Sequence, residues 1–70
     1  MEIIYLRDEF IKLGQALKAA GVVESGVEAK EVIQEAKVLV NGEVDTRRGR
    51  KLYEGDVVSF ENQTIEIKKL

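Results

Sequence analysis

The sequence contains no cysteine and no histidine. Without cysteine the chain cannot form a disulfide, a thiolate zinc site or a nucleophilic thiol. Without histidine it lacks the commonest general acid–base group and the commonest metal ligand. A lysine base acting on one of the few Ser and Thr hydroxyls is the route to catalysis that remains. We therefore predict a binding protein rather than an enzyme, with no cofactor and no metal site.

Long apolar runs are also missing. No stretch approaches the roughly 20 residues that a bilayer-spanning helix needs, and no signal-peptide pattern opens the chain. A small domain without disulfides is typical of the cytosol, so we expect a cytoplasmic protein with no membrane partner. With 70 residues, 44% of them hydrophobic and 34% charged, the chain is predicted to fold as a single domain spanning residues 1–70.

The first half of the chain alternates between strand and helix patterns. "EIIYL" at residues 2–6 predicts a short strand. "FIKLGQALKAAG" at residues 10–21 shows helical spacing, and Gly21 suits a left-handed helix end. Gly14 weakens that helix, which indicates that another backbone approaches it closely. The apolar positions of this first helix are Leu13, Ala16, Leu17 and Ala20.

A capping box predicts the start of the second helix. The Ser25 hydroxyl can accept a hydrogen bond from the Glu28 amide, and the Glu28 carboxylate can accept one from the Ser25 amide. The apolar face that follows is predicted to comprise Ala29, Val32, Ile33 and Ala36.

From residue 37 the pattern changes to short strands. Asn41-Gly42 predicts a hairpin, because both residues tolerate the positive φ of a type I′ turn. "EGD" at residues 54–56 predicts a further turn, and two more strands are expected around Asn62-Gln63. The predicted fold class is therefore α+β.

The order of these motifs resembles the alpha-L RNA-binding motif, the domain named after the fourth protein of the small ribosomal subunit. The resemblance covers residues 12–60, and it implies two helices packed on a small, mainly antiparallel sheet. The positions that match the family string are Leu17, Ser25, Ala29, Ile33, Val38, Val40, Asn41, Gly42, Gly55 and Asp56.

Three departures from the family string matter. Lys12 replaces an arginine, Gly26 replaces the arginine after the serine, and Ala36 stands where glycine is usual. "ESG" and "TRRGRKLYEGDVVSF" are similar to a stand-alone subgroup of short bacterial proteins, the YaaA/YbcJ-like ones. That resemblance implies a single-domain RNA-binding protein acting on ribosomal RNA or on ribosome assembly, and it leaves transfer RNA open as a partner.

Four positive charges fall within five residues of the segment 47–51, although the whole chain has a formal charge of −2. RNA would attract such a cluster through its phosphates. The residues predicted to bind RNA are Lys12, Lys18, Ser25, Gly26, Lys30, Lys37, Arg47, Arg48, Arg50 and Lys51. We call residues 47–51 the basic loop. Its alternative interpretation is that it is only solvated, or paired with acids such as Asp45 and Glu54.

Aromatic side chains are few, and only Tyr53 is close to the basic run. We interpret Phe10 and Phe60 as core residues and Tyr53 as the one candidate for stacking on a nucleobase. The alternative function is a protein-interaction adaptor without nucleic acid, using an edge strand or the acidic side of the second helix. An exposed edge strand would also permit a dimer.

Overall fold

A computed structural model describes all 70 residues of the chain. The alternation of strand and helix patterns produces seven short strands and two helices. In chain order they are β1 (Glu2–Leu6), β2 (Ile11–Lys12), α1 (Leu13–Ala19), α2 (Gly26–Gln34), β3 (Val38–Val40), β4 (Glu43–Val44), β5 (Lys51–Leu52), β6 (Val57–Phe60) and β7 (Gln63–Lys69).

Five of the strands form one sheet in the order β1-β7-β6-β3-β4. The β1–β7 pairing is parallel, and the other three pairings are antiparallel. The two remaining strands, β2 and β5, form a separate antiparallel ribbon. These findings confirm the predicted α+β class and the mainly antiparallel sheet.

Both helices and the inner face of the sheet contribute to one hydrophobic core of 15 buried residues. Leu13 and Leu17 of α1, Ile33 of α2 and Ile67 of β7 are completely inaccessible to solvent. Burying each such side chain stabilises the fold by about 1.5–3 kcal/mol. Neither helix has the length and apolar character that crossing a membrane would require.

The first helix is shorter than its sequence pattern predicts. Ile11 and Lys12 are extended and pair with β5, so α1 begins at Leu13 rather than at residue 10. The ribbon prevents the helix from starting earlier, because its backbone pairs with a segment about forty residues further along the chain. The predicted left-handed end at Gly21 is confirmed by its φ of 75°.

The predicted cap of α2 is half correct. The Ser25 hydroxyl accepts a hydrogen bond of 3.1 Å from the Glu28 amide, as expected. The Glu28 carboxylate, however, accepts from the amide of Glu24 at 2.7 Å, one residue before the predicted donor. The helix start is therefore held by both residues, although the second bond closes around a longer loop of chain.

Ala36 does not belong to the apolar face of α2, which was predicted to include it. The helix ends at Gln34, and Ala36 is exposed with a φ of 62°. This left-handed conformation favours glycine, which explains why the related family usually has glycine at this position. Alanine accepts the conformation here at a cost of about 1 kcal/mol.

The hairpin predicted at Asn41-Gly42 is confirmed, with φ values of 52° and 84° and antiparallel pairing of β3 with β4. The turn between β6 and β7 lies one residue earlier than predicted. Gln63 already pairs with Phe60, so the turn residues are Glu61 and Asn62. Glu61 takes the positive φ, at 55°.

The Asn41 side chain ties the hairpin to the segment before β6. Its Nδ2 donates to Asp56 Oδ1 at 3.0 Å, and its Oδ1 accepts from the Val57 amide at 2.9 Å. The other Asp56 oxygen accepts from the Tyr53 amide at 2.8 Å. The Asn-Gly and Gly-Asp pairs are thus two halves of one hydrogen-bonded junction, which positions the loop between β4 and β6.

Candidate nucleic-acid interface

A groove of about 740 Å³ opens where the first turn of α1, the first turn of α2 and the loop before β5 meet. Four basic side chains line it, and no acidic side chain does. The lining residues are Lys12, Gly14, Gln15, Lys18, Ser25, Gly26, Val27, Ala29, Lys30, Arg48 and Gly49. In a chain with net negative charge, this groove is a local concentration of positive charge.

Backbone hydrogen bonds hold the basic loop against the start of α1. The first amides of a helix have no partner within the helix. Here the Leu13 amide donates to the Arg50 carbonyl at 2.8 Å, and the Gly14 amide donates to the Arg48 carbonyl at 3.0 Å. The Arg50 amide closes a turn by donating to the Arg47 carbonyl at 3.1 Å. The loop therefore caps α1, and this contact points Arg48 along the groove wall.

Gly14 leaves room for the Arg48 side chain beside α1. A Cβ atom at residue 14 would lie 2.7 Å from Cγ of Arg48, closer than two carbon atoms tolerate without displacement. The close approach predicted from the glycine inside the helix pattern is confirmed, and the approaching segment is the basic loop itself.

The start of α2 forms the opposite wall of the groove. The Glu28 amide is occupied by the Ser25 hydroxyl and the Ala29 amide by the Ser25 carbonyl. The amides of Gly26 and Val27 remain without a protein partner and lie at the positive end of the helix dipole. Apart from its own helix and chain neighbours, no atom lies within 4 Å of the position that a Cβ of Gly26 would occupy. There is therefore room at this position for the Cβ of the arginine that the related family usually has.

Asp45 binds two of the arginines that were predicted to belong to the site. Its Oδ1 accepts from the Arg47 amide at 2.9 Å and from Arg47 Nε at 3.0 Å. Its Oδ2 accepts from Arg47 Nη2 at 2.8 Å and from Arg50 Nη1 at 3.0 Å. These bonds, those from the Arg47 side chain above all, lower the pKa of Asp45 from 3.8 to about 2. In turn, Asp45 raises the pKa of Arg47.

Of the ten residues predicted to bind RNA, six line the groove: Lys12, Lys18, Ser25, Gly26, Lys30 and Arg48. The other four lie outside it. Arg47 and Arg50 border a separate hollow with Asp45, and Lys37 pairs with Glu35 at 3.1 Å. The Lys51 ammonium lies 4.8 Å from the centre of the Phe10 ring. Phe10 is only half-buried and lies outside the hydrophobic core, so its interpretation as a core residue was wrong, whereas Phe60 belongs to the core.

Sequence reasoning assigned no role to Gln15, and it named Asp45 only as a possible partner of the basic loop. The Gln15 side chain accepts from the Lys12 amide at 3.2 Å and so fixes the groove wall. Asp45 was considered only as a neutralising neighbour of the basic run. Its signal in the sequence is a single acid two residues before that run, although no pattern reveals that its side chain is only 7% exposed.

A family model described as the S4 domain matches residues 4–68 of this chain. The chain belongs to the S4 domain family. The family match confirms the resemblance drawn from the motif string, and it extends beyond that string to β1 and β7.

Two curated relatives match most of this S4 domain. One, from Bacillus subtilis (strain 168), is named "Probable ribosome maturation protein RlbA" and is 57% identical over 58 residues, covering 83% of this chain and 82% of the relative. Another, from Escherichia coli (strain K12), is named "Putative RNA-binding protein YbcJ" and is 39% identical over 57 residues, covering 81% of each chain. The YbcJ match agrees with the predicted stand-alone subgroup.

Proposed function

We propose that this S4 domain binds structured RNA through phosphate contacts in the groove, that ribosomal RNA is its partner, and that it acts in ribosome maturation in the cytoplasm. Residues 1–70 would act as one non-catalytic binding domain. The observation that carries the proposal is the groove wall, in which four cations face a common space without any carboxylate. The names of the two relatives support the choice of partner.

The charges of the groove are available for a ligand. The ion pairs of the structure involve Lys37, Arg47 and Arg50, and none involves Lys12, Lys18, Lys30 or Arg48. Each cation that neutralises a phosphate releases condensed counterions, which favours binding. The unpartnered amides at the start of α2 add hydrogen-bond donors for phosphate oxygens. The groove therefore combines cations that form no ion pair with backbone hydrogen-bond donors.

The ionic-strength dependence of binding tests the proposal. We expect the affinity for a fluorescently labelled ribosomal RNA fragment to fall steeply between about 50 and 200 mM salt. Neutralisation of three or four phosphates predicts a log–log slope of magnitude about 2–4. Fluorescence anisotropy measures this slope directly. A flat titration would contradict phosphate binding and would favour the alternative of a protein-interaction adaptor.

The Gly14→Ala variant tests whether the position of Arg48 matters for RNA binding, because it moves this side chain without removing its charge. The new methyl group forces Arg48 away from α1, at about 0.5–1.5 kcal/mol for an unfavourable rotamer. The better helix propensity of alanine offsets this by up to about 1 kcal/mol. We expect the unfolding free energy to change by less than about 1 kcal/mol, while RNA affinity falls about tenfold if one charged contact is lost.

Urea unfolding and anisotropy on the same preparation check both parts of this prediction. Gln34→Ala is the control, because Gln34 is an exposed residue of α2 that does not line the groove. Equal RNA affinity for the Gly14→Ala variant and the wild type would show that the position of Arg48 is unimportant.

A further inference from the structure

The outer face of the β2–β5 ribbon brings together two aromatic rings and two lysines. Lys12 lies opposite Lys51 in the antiparallel register, and Ile11 lies opposite the fully buried Leu52. Because side chains alternate along a strand, the neighbours of Leu52 point outward. Phe10 and Tyr53, one register step further, have ring centroids 6.1 Å apart and planes tilted by 50°.

The two lysines on this face are not neutralised. Like charges directly opposite each other on paired strands are destabilising, and neither lysine forms an ion pair. Lys12 also lines the groove, so the ribbon face continues the basic surface. An anion bound beside both ammonium groups would relieve their repulsion, which makes this point a natural exit for an RNA backbone that leaves the groove.

Tyr53 is held firmly although its side chain is accessible. Its amide donates to Asp56 Oδ2 at 2.8 Å, and its carbonyl accepts from the Asp56 amide at 3.0 Å. Gly55 completes this turn with a φ of 95°. The residue is 47% exposed. A ring on so constrained a backbone offers a flat apolar surface at little further cost in conformational entropy.

The hollow beside Tyr53 suits a base better than a phosphate. It measures about 290 Å³ and is lined by Glu9, Tyr53, Glu54 and Lys69. Two carboxylates against one ammonium repel a phosphate group, whereas carboxylates accept hydrogen bonds from the amino groups on base edges. Positive and negative charges are thus separated on this surface. The cations lie where the RNA backbone would leave the groove, and the carboxylates lie beside the Tyr53 ring.

We propose that Tyr53 is a stacking platform for an unpaired nucleobase that adjoins the RNA held in the groove. The ligand of this S4 domain is then a duplex with a single-stranded extension or a bulge rather than a continuous duplex. Unpaired bases stacked on aromatic side chains are a common means of RNA recognition. This inference rests on the proposed RNA-binding function, and it adds the class of RNA and a second contact region to it.

The test compares a blunt RNA hairpin with the same hairpin carrying a few unpaired nucleotides at either end. For the wild type we expect an extension at one end to strengthen binding about tenfold, the usual effect of one stacked base. Tyr53→Ala should lose that gain while binding the blunt hairpin unchanged, and Tyr53→Phe should keep it. Tyr5→Ala is the matched control, because Tyr5 is 54% exposed on β1 and should have no effect.

Intrinsic fluorescence provides a second readout. The chain has two tyrosines and no tryptophan, so Tyr5→Phe leaves Tyr53 as the only strong fluorophore. The extended hairpin should quench this fluorescence at saturation, and the blunt hairpin should quench it far less.

The outcomes separate this inference from the proposed function. Equal affinity for both hairpins, with no effect of Tyr53→Ala, would overturn the stacking platform and leave the groove intact. In a second outcome, the wild type binds both hairpins no more tightly than a variant in which Lys30 and Arg48 of the groove are replaced by glutamate. That result would overturn the RNA-binding function and the platform together.

Discussion

The double substitution Arg48→Glu and Lys30→Glu is expected to lower the affinity for RNA by at least about 100-fold. Hydrogen bonds to charged groups are each worth about 1.5–3 kcal/mol, and 1.4 kcal/mol corresponds to a factor of ten. Arg48 and Lys30 project from opposite walls of the groove, on the basic loop and on α2. Each glutamate both removes a phosphate partner and repels the phosphate that remains.

These two positions are preferable to the whole basic run as targets. Arg47 and Arg50 bind the buried Asp45 carboxylate, so charge reversal there would leave that carboxylate facing new carboxylates and would disturb the fold. Lys30 and Arg48 are exposed and form no ion pair. We therefore expect the unfolding free energy of the double variant to stay close to that of the wild type, as urea unfolding can verify.

The matched control is Arg7→Glu with Lys68→Glu. It replaces the same residue types and changes the net charge by the same amount, but both positions are exposed and neither lines the groove. Anisotropy at one salt concentration should give near wild-type affinity for the control and a severe loss for the groove variant. An equal loss of RNA affinity in both variants would mean that only the net charge matters. That result would contradict the assignment of the groove as the RNA-binding site.

Local patterns predicted the elements of this fold whose causes are local. The hairpin at Asn41-Gly42 follows from two residues that tolerate positive φ, and the start of α2 follows from the Ser25 cap. Both are decided within a few residues, and both were predicted correctly. The strands of the β2–β5 ribbon have only two residues each. Their pairing depends on contacts between distant parts of the chain, so no periodicity could reveal it.

The residues of the candidate site also differ in whether local patterns or tertiary contacts determine their positions. Lys18 and Lys30 are exposed helix residues, so the helical pattern predicts that their side chains point away from the core, on the side where the groove lies. The charges of residues 47–51 look equivalent in the sequence. Their division into one groove residue, two partners of Asp45 and one neighbour of Phe10 depends on tertiary hydrogen bonds and packing. Composition alone cannot distinguish these environments.

Asp45→Asn is expected to destabilise the fold by about 2 kcal/mol at neutral pH. Loss of one partner from a fully buried ion pair costs about 3–5 kcal/mol, and the cost is smaller here because the Arg47 side chain is 72% exposed and can be solvated. The asparagine oxygen can still accept from the Arg47 amide, but its Nδ2 cannot accept from either guanidinium. In a domain of this size the melting temperature should fall by about 8–16 °C.

The pH dependence of this difference identifies its cause. The folded-state pKa of Asp45 is about 2, below the ordinary 3.8. A depressed pKa contributes stability that is complete above the ordinary value and is lost as the pH falls through the folded value. The difference in unfolding free energy between wild type and Asp45→Asn should therefore be constant above about pH 5 and shrink by about 1–2 kcal/mol towards pH 2.

Urea unfolding of both proteins across this pH range measures the difference directly, and the subtraction removes the titration of all other carboxylates. Asp8→Asn is the matched control, because Asp8 is exposed and forms no ion pair, and it should show neither effect. A difference that stays constant down to pH 2 would mean that packing rather than charge makes Asp45 important. A difference that disappears there would show that Asp45 stabilises the fold through the charge that it presents to Arg47 and Arg50.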